Sequence, residues 1–123
     1  MALCLAAGGL VTRLAVASFT LAWMHSVEKV RWEEDWLVQH ATLVLTQSRI
    51  QGSGAGMDPP EGAVLVDGFW HYRPQLGPLP QVELARSDAV ADWQLCLDGS
   101  CRELGAYLPA QARQWNVVMR PCP

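Results

Sequence analysis

Apolar and polar residues alternate along much of this chain, and a period of two is typical of β-strands rather than helices. The first clear run covers residues 19–25. One face of that run carries Phe19, Leu21, Trp23 and His25. Similar runs follow at residues 30–38 and 42–50, and we expect each of the three to form a strand.

The run at residues 30–38 divides its side chains sharply between two faces. Trp32, Glu34 and Trp36 fall on one face, whereas Glu33 and Asp35 fall on the other. A helix over residues 26–45 is the alternative, because the two tryptophans are four positions apart. We prefer strands because β-branched and aromatic residues are dense here and no apolar stripe of period 3.6 emerges.

The rest of the chain reads as short strands between turn signals. Gly8-Gly9 predicts a turn within the N-terminal apolar stretch, and Asp67-Gly68 predicts a hairpin joining residues 63–66 to 69–72. Further strands are expected at residues 81–86, 91–97 and 116–119 and from residue 102, and residues 104–115 have room for one short helix. We therefore predict an all-β fold, a small antiparallel β-sandwich or barrel of about seven to nine strands. We expect one domain over residues 1–123.

Charge and hydropathy exclude two classes of function. The net charge is −3 and no basic stripe is present, so the sequence lacks the electrostatic footprint of a nucleic-acid-binding protein. No run of 18 apolar residues exists, so we expect no transmembrane segment in this chain. The N-terminus is not a convincing signal peptide, because no positive residue precedes its apolar run and Arg13 interrupts it.

The four cysteines predict two disulfides. Cys96 and Cys101 flank an Asp-Gly turn signal, so two strands turning there would bring their thiols within bonding reach. Cys4 and Cys122 lie near opposite ends of the chain, and a bond between them would close the ends together. The alternative is four reduced, buried cysteines. The disulfide interpretation favours an extracytoplasmic location such as the periplasm.

The segment HSVEK, residues 25–29, places an imidazole, a hydroxyl, a carboxylate and an ammonium group within five positions. It falls between two predicted strands, and such corners often carry function. We expect His25, Ser26, Glu28 and Lys29 to form a ligand or partner surface. His25 as a general base is the enzymatic alternative, and a solvated turn is the structural one.

Glu34 is unusual because it lies between two tryptophans on one face of its strand. An unpaired buried charge is costly, so we expect Glu34 to meet a cation such as Lys29, Arg31 or Arg49. A metal held by His25, Glu28 and Glu34 together is the alternative. The chain shows no recognised spacing of metal ligands, so we predict neither a metal nor a cofactor.

The segment GSGAG, residues 52–56, is the second candidate surface. Glycine allows close approach of the backbone, and exposed N–H groups can hold an anion such as a carboxylate. The segment is not a phosphate-binding P-loop, because the Lys and Ser/Thr that follow its last glycine are missing. We expect Gly54, Ala55 and Gly56 to take part in binding, with simple loop geometry as the alternative.

The stretch FTLAWMHSVEKVRWEEDW, the GSGAGM loop and the later DGFWHY resemble a bacterial family of small domains of unknown function. Its members are often encoded beside the TAXI type of TRAP transporter. The resemblance implies an accessory role in ion-driven uptake of organic acids, with the TRAP-TAXI permease, its solute-binding protein or a small organic acid as partner. It also implies an N-terminal export or membrane segment, which this sequence lacks; an upstream segment outside it would reconcile the two.

These observations predict an accessory binding domain more readily than an enzyme. The working surface would combine the HSVEK corner with the GSGAG loop. A small hydrolase-like enzyme with His25 as base and a purely structural subunit are the alternatives.

Overall fold

The computed structural model describes residues 1–25, 29–52, 59–112 and 114–123. Within these ranges the chain forms eleven β-strands and two short 3-10 helices. The strands are β1 (Ala2–Ala7), β2 (Leu10–Leu14), β3 (Ser18–Met24), β4 (Arg31–Val38), β5 (Leu43–Gln51), β6 (Val64–Val66), β7 (Phe69–Tyr72), β8 (Val82–Leu84), β9 (Gln94–Leu97), β10 (Ser100–Glu103) and β11 (Val117–Cys122). The 3-10 helices span Leu104–Tyr107 and Ala110–Ala112.

The strands form two antiparallel sheets. The smaller sheet has the order β2-β1-β11-β8, and the larger has the order β10-β9-β3-β4-β5-β7-β6. Consecutive strands β3, β4 and β5 are direct neighbours in the larger sheet, as expected for strands joined by short connections. The smaller sheet instead joins the two ends of the chain, because β1 pairs with β11.

Side chains from both sheets form one hydrophobic core. Leu5 and Met119 contribute from the smaller sheet, and Leu21 and Leu95 contribute from the larger one. Each of these four is almost completely removed from solvent. Burial of each such side chain contributes about 1.5–3 kcal/mol. Because alternation gives each sheet one apolar face, the two sheets pack with these faces together and form a two-layered fold.

The predicted fold class is therefore confirmed, with differences in detail. The described residues contain eleven strands instead of the seven to nine predicted. The hairpin at Asp67-Gly68 is present, and both turn residues have positive φ, 51° and 82°. The same holds for Asp98-Gly99, at 52° and 82°. The helix expected within residues 104–115 is replaced by the two 3-10 helices.

Both predicted disulfides are present. Cys4–Cys122 joins β1 to β11, with Cα atoms 5.9 Å apart, and so ties together the two interior strands of the smaller sheet. Cys96–Cys101 joins β9 to β10 across the Asp-Gly turn, and these two residues are direct cross-strand partners. Two disulfides fit a protein of an oxidising, extracytoplasmic compartment.

Five tryptophans in or next to strands of the larger sheet differ in burial. Trp36 belongs to the core with 4% of its surface exposed. Trp23 and Trp93 pack against the core from its edge, and Trp32 and Trp70 are likewise only half-buried. Of these five tryptophans, Trp36 is thus a core residue, Trp23 and Trp93 lie against the core, and Trp32 and Trp70 are half-buried outside it.

Candidate functional site

The chain reverses direction between β3 and β4 at the HSVEK segment. The backbone N–H of His25 donates to the carbonyl of Val30 at 2.8 Å, and the N–H of Lys29 donates to the carbonyl of His25 at 2.8 Å. Lys29 is exposed and has a φ of 55°, a left-handed conformation that a lysine rarely adopts. His25 and Lys29 therefore lie where the chain turns from β3 into β4.

The end of β5 lies directly beside the start of β4. Trp32 pairs with Ile50, and the backbone N–H of Arg31 donates to the side-chain oxygen of Gln51 at 3.1 Å. Gly52 directly follows the last residue of β5, and its backbone N–H donates to the carbonyl of Gly68 at 2.9 Å. The segments that contain HSVEK and GSGAG thus depart from neighbouring strands at the same end of the seven-stranded sheet, which we call the loop end.

Only part of the predicted site falls within the described residues. His25, Lys29 and Glu34 are described, and the first two lie at the loop end. The predicted site residues Ser26, Glu28, Gly54, Ala55 and Gly56 lie outside the described residues.

Aromatic side chains form a continuous row across the loop end. Ring centroids are 6.1 Å apart for His25 and Trp32, 6.1 Å for Trp32 and Trp23, and 5.0 Å for Trp23 and Trp93. The first two pairs are stacked, whereas the third meets edge to face. Such contacts add about 0.5–1.5 kcal/mol per aromatic pair beyond the burial of apolar surface. The row therefore holds the side chain of His25 against the body of the sheet.

Trp70 explains why the first position of the GSGAG segment, residue 52, must be a glycine. A Cβ atom at residue 52 would lie 2.5 Å from the indole nitrogen of Trp70, which is closer than packed atoms approach. The first glycine of the motif therefore has a packing role.

Glu34 lies on the apolar face of β4, opposite Leu21 on one side and the buried Ser48 on the other. Its carboxylate accepts a hydrogen bond from the indole N–H of Trp36 at 3.4 Å. Burial raises the pKa of Glu34, and the hydrogen bond from Trp36 opposes this only in part. Glu34 is consequently a destabilised carboxylate near the core.

The expectation that an arginine neutralises Glu34 is wrong. Arg31 and Arg49 both point to the opposite face of the sheet, because each pairs with Glu33. Alternate residues of a strand point to opposite faces, so neither cation shares a face with Glu34. In the described part of the chain, no Lys, Arg or His lies within ion-pair distance of Glu34.

The outer face of the same sheet carries a network of ion pairs, which we call the outer-face network. Arg49 donates from Nε to Glu33 at 2.8 Å and from Nη2 to Asp35 at 2.7 Å. Arg31 donates from Nε to the second oxygen of Glu33 at 2.7 Å. Thr20 on β3 donates to Asp35 at 2.7 Å. The network therefore cross-links β3, β4 and β5 on the side away from the core.

The arginines set the charge state of these carboxylates. Burial alone would raise the pKa of Glu33 and of Asp35. Hydrogen bonds from Arg31 and Arg49 outweigh this effect at Glu33, and those from Arg49 and Thr20 outweigh it at Asp35, so both pKa values are lowered. The pKa of Arg49 is raised in return, mainly by its hydrogen bonds to Asp35. Both carboxylates are thus stabilised as anions, in contrast to Glu34.

Sequence reasoning missed the outer-face network, although part of its signal was visible. The alternation of β4 put Glu33 and Asp35 on one face, and Arg49 stood in the next predicted strand. The pairing of Glu33 with Arg49 depends on the register between β4 and β5. That register includes a shift between Asp35 and Trp36, which no local pattern announces.

A second polar cluster, also missed, ties the segment before β9 to the chain around the 3-10 helices. The guanidinium of Arg86 pairs with Asp92 at 3.0 Å and donates to the carbonyls of Ala112 and Trp115. Asp92 also accepts the backbone N–H of Gly105 at 2.8 Å. The Arg86 side chain is only 4% exposed, so these bonds satisfy a buried cation and give it a structural role.

Three of the clefts formed by the described residues differ in position and size. The first, of about 730 Å³, lies between residues 85–93 and 103–110 and includes Asp92 and Trp93. The second, of about 580 Å³, lies beside β6 and includes Gln47 and His71. The third, of about 350 Å³, includes Asp35 and Asp98. His25 and Glu34 line none of these three clefts.

The described residues contain neither a cluster suited to hold a metal ion nor a membrane-spanning helix. No group of three or more His, Cys, Asp or Glu side chains there is arranged to hold a metal ion. Among the same residues, no helix is long and apolar enough to cross a membrane.

Comparisons with known proteins place the chain in a family. No curated protein and no solved structure matches the chain. The model of one family matches residues 19–104, from β3 to the first 3-10 helix, and so includes both segments of the loop end. On this match over more than half of its length, the chain belongs to the family described as domain of unknown function DUF1850.

Proposed function

We propose that this protein is a non-enzymatic, extracytoplasmic binding domain whose working surface is the loop end of the seven-stranded sheet. Its partner would be a component of a TRAP-TAXI organic-acid transport system, the permease or the solute-binding protein, or the organic acid itself. The proposal rests on one observation above the others. The start of β4, which follows HSVEK, lies beside the end of β5, which precedes GSGAG.

The contact between Arg31 and Gln51 supports a shared surface. The backbone N–H of Arg31 donates to the side-chain oxygen of Gln51 at 3.1 Å. Arg31 is two positions after Lys29, and Gln51 is one position before Gly52. Residues from two distant stretches of the sequence therefore meet at one edge. Loops held on a rigid sheet are a common location for binding residues.

The chemistry of the loop end suits recognition of a carboxylate. Lys29 is exposed and provides a cation at the corner. The aromatic row behind it, from His25 to Trp93, provides apolar surface that is only half-buried. An organic acid, or a partner segment that presents an acidic group beside an apolar one, would satisfy both features.

The transport partner is argued from the resemblance and the disulfides. The resemblance described above implies genes for a TRAP-TAXI transporter as neighbours. Two disulfides fit the compartment in which the solute-binding protein of such a system works. A periplasmic location is part of this proposal.

The enzymatic alternative has less support. General base catalysis by His25 would need the imidazole to face a cleft large enough for a substrate. The three clefts described above are lined by other residues, and the His25 ring stacks on Trp32.

The proposal is tested by binding measurements on the oxidised protein. A variant with His25→Ala, Glu28→Ala and Lys29→Ala would be compared with wild type in thermal-shift assays against dicarboxylates, keto acids and amino acids. Both proteins would also be used as bait for the purified permease and solute-binding protein. A ligand that binds the native state raises Tm by mass action. We expect a Tm shift or a captured partner for wild type that the variant loses.

A matched control carries Glu83→Ala and Arg120→Ala, on the smaller sheet and away from the loop end. It should keep all binding that wild type shows. If the loop-end variant binds as well as this control does, the loop end is not the working surface. A lowered Tm with binding intact would assign the HSVEK corner a structural role instead.

A further inference from the structure

The two disulfides lie in very different surroundings. Cys4 is 5% exposed and Cys122 is half-buried, and both belong to interior strands of the smaller sheet. Cys96 is 7% exposed on the interior strand β9, but its partner Cys101 is exposed on β10, the edge strand of the larger sheet. Cys101 is therefore the most solvent-exposed of the four cysteines, and an incoming thiolate meets less protein there than at Cys4–Cys122.

A cation stands beside the accessible sulfur. The guanidinium of Arg31 donates from Nε to Glu33 at 2.7 Å and from Nη1 to Gln94 at 2.8 Å. Its third nitrogen, Nη2, points at Sγ of Cys101 at 3.9 Å. The two stronger bonds hold the guanidinium in place, so its position next to the sulfur does not depend on the weak contact itself.

We propose that Cys96–Cys101 is a thiol–disulfide exchange site that accepts electrons from a dithiol, and that Arg31 favours the reduced form by stabilising the thiolate of Cys101. A cation near a cysteine lowers the thiol pKa and makes it a better leaving group. Cys4–Cys122 has the structural role and stays oxidised under the same conditions.

The exchange has two steps. A thiolate of the incoming dithiol attacks Sγ of Cys101, which forms a mixed disulfide and expels Cys96 as a thiolate that takes up a proton. The second thiolate of the dithiol then attacks its own sulfur in the mixed disulfide. This step closes the reagent into a disulfide and expels Cys101 as a thiolate, to which Arg31 Nη2 donates. The cysteine pair gains two electrons and the dithiol loses two.

The site goes beyond the proposed binding function and does not depend on it. Arg31 nevertheless links the disulfide to the loop end, because its backbone N–H also donates to the side chain of Gln51. Opening the disulfide would draw its guanidinium towards a new negative charge on Cys101.

The experiment titrates the native, oxidised protein with dithiothreitol at pH 8. Free thiols are trapped with N-ethylmaleimide and assigned to individual cysteines by peptide mass spectrometry, while circular dichroism follows folding. We expect Cys96 and Cys101 to become labelled at a dithiothreitol concentration at least tenfold below that which opens Cys4–Cys122, with the fold retained. Simultaneous opening of both pairs, or earlier opening of Cys4–Cys122, would overturn the proposal.

The role of Arg31 is tested with Arg31→Met against a matched control, Arg102→Met. Arg102 is the neighbour of Cys101 in sequence, but its guanidinium lies over the ring of Tyr107 at 5.7 Å. Arg31→Met should need about two- to fivefold more dithiothreitol for half-reduction of Cys96–Cys101, the range expected for a partly exposed charge interaction. Equal midpoints for the two variants would remove Arg31 from the proposal. If Arg31→Met does not fold, the wild-type titration still decides whether the site is exchangeable.

Discussion

The two sheets share a core but are stabilised in different ways. In the smaller sheet, residues 2–5 of β1 are each at most 5% exposed, and a disulfide joins β1 to β11. In the larger sheet, residues 31–35 of β4 are all half-buried, and charged side chains cross-link the strands. Burial and a disulfide between distant residues stabilise the smaller sheet, whereas the larger sheet has, besides its buried face and its own disulfide, an outer-face network that solvent can reach.

This difference separates stability from function within one small fold. The smaller sheet closes the two ends of the chain against each other, because β1 pairs with β11. The larger sheet extends beyond the area covered by the smaller one, and its loop end presents half-buried aromatic and charged groups. Substitutions in the smaller sheet should therefore mainly affect folding, and those at the loop end should mainly affect binding.

The largest expected effect is the loss of the disulfide of the smaller sheet. Cys4→Ala with Cys122→Ala removes a bond between residues 118 positions apart, so the chain-entropy model gives a loss of about 5 kcal/mol in unfolding free energy. Cys96→Ala with Cys101→Ala removes a bond between residues five positions apart and should cost only about 2 kcal/mol. Urea unfolding without reductant measures both, and equal losses would contradict the comparison.

The next effect concerns the outer-face network. Arg49→Met should lower the unfolding free energy at pH 7 by about 2 kcal/mol, between the values for exposed and for buried ion pairs. Because the folded-state pKa values of Glu33 and Asp35 are lowered, their stabilisation is present at neutral pH. It is lost as the pH falls from the ordinary carboxyl range through these lowered values.

Urea unfolding at pH 7 and at pH 3 tests this dependence. The deficit of Arg49→Met should be smaller at pH 3, where protonation has weakened the same interactions in wild type. Arg102→Met, which removes a cation outside the network, should show a small deficit at both values. A deficit for Arg49→Met that is unchanged at pH 3 would show that packing, and not charge, explains the loss.

A smaller effect of opposite sign is expected at Glu34. Burial raises the folded-state pKa of this carboxyl, so the folded protein loses stability as the pH rises through the interval between the unfolded and folded values. Glu34→Gln removes the ionisation and keeps an oxygen for the indole of Trp36. The variant should therefore be more stable than wild type at pH 8 and lose this advantage at pH 4. Thermal unfolding at both values measures it, and a variant that is less stable at pH 8 would contradict the assignment.

The smallest effect is expected at the HSVEK corner. Lys29 has a φ of 55°, and Lys29→Gly should relieve this conformation with a gain of about 0.5 kcal/mol. Lys29→Ala keeps a side chain in the same conformation and should show no such gain, so it is the matched control. Urea unfolding measures both variants. Equal stability of the two would show that the left-handed backbone at the corner costs the protein little.

Much of the fold follows from local pattern. Alternation at residues 19–25, 30–38 and 42–50 predicted three neighbouring strands, because a period of two is visible within a single strand. Asp-Gly pairs predicted the turns at residues 67–68 and 98–99, because these residues accept positive φ. Cys96 and Cys101 could be paired for the same reason, since a tight turn brings its flanking residues together.

Only the tertiary structure decided which charges meet. Whether Glu34 or Glu33 pairs with an arginine depends on the face each occupies and on the register of β4 with β5, including its shift near Asp35. Arg86 and Asp92 contact Gly105, Ala112 and Trp115, which come together only when the segments around β9 and the 3-10 helices pack. Local sequence determined the strands and turns because those depend on near neighbours. The partners of the charged groups depend on contacts between distant segments, which no local pattern contains.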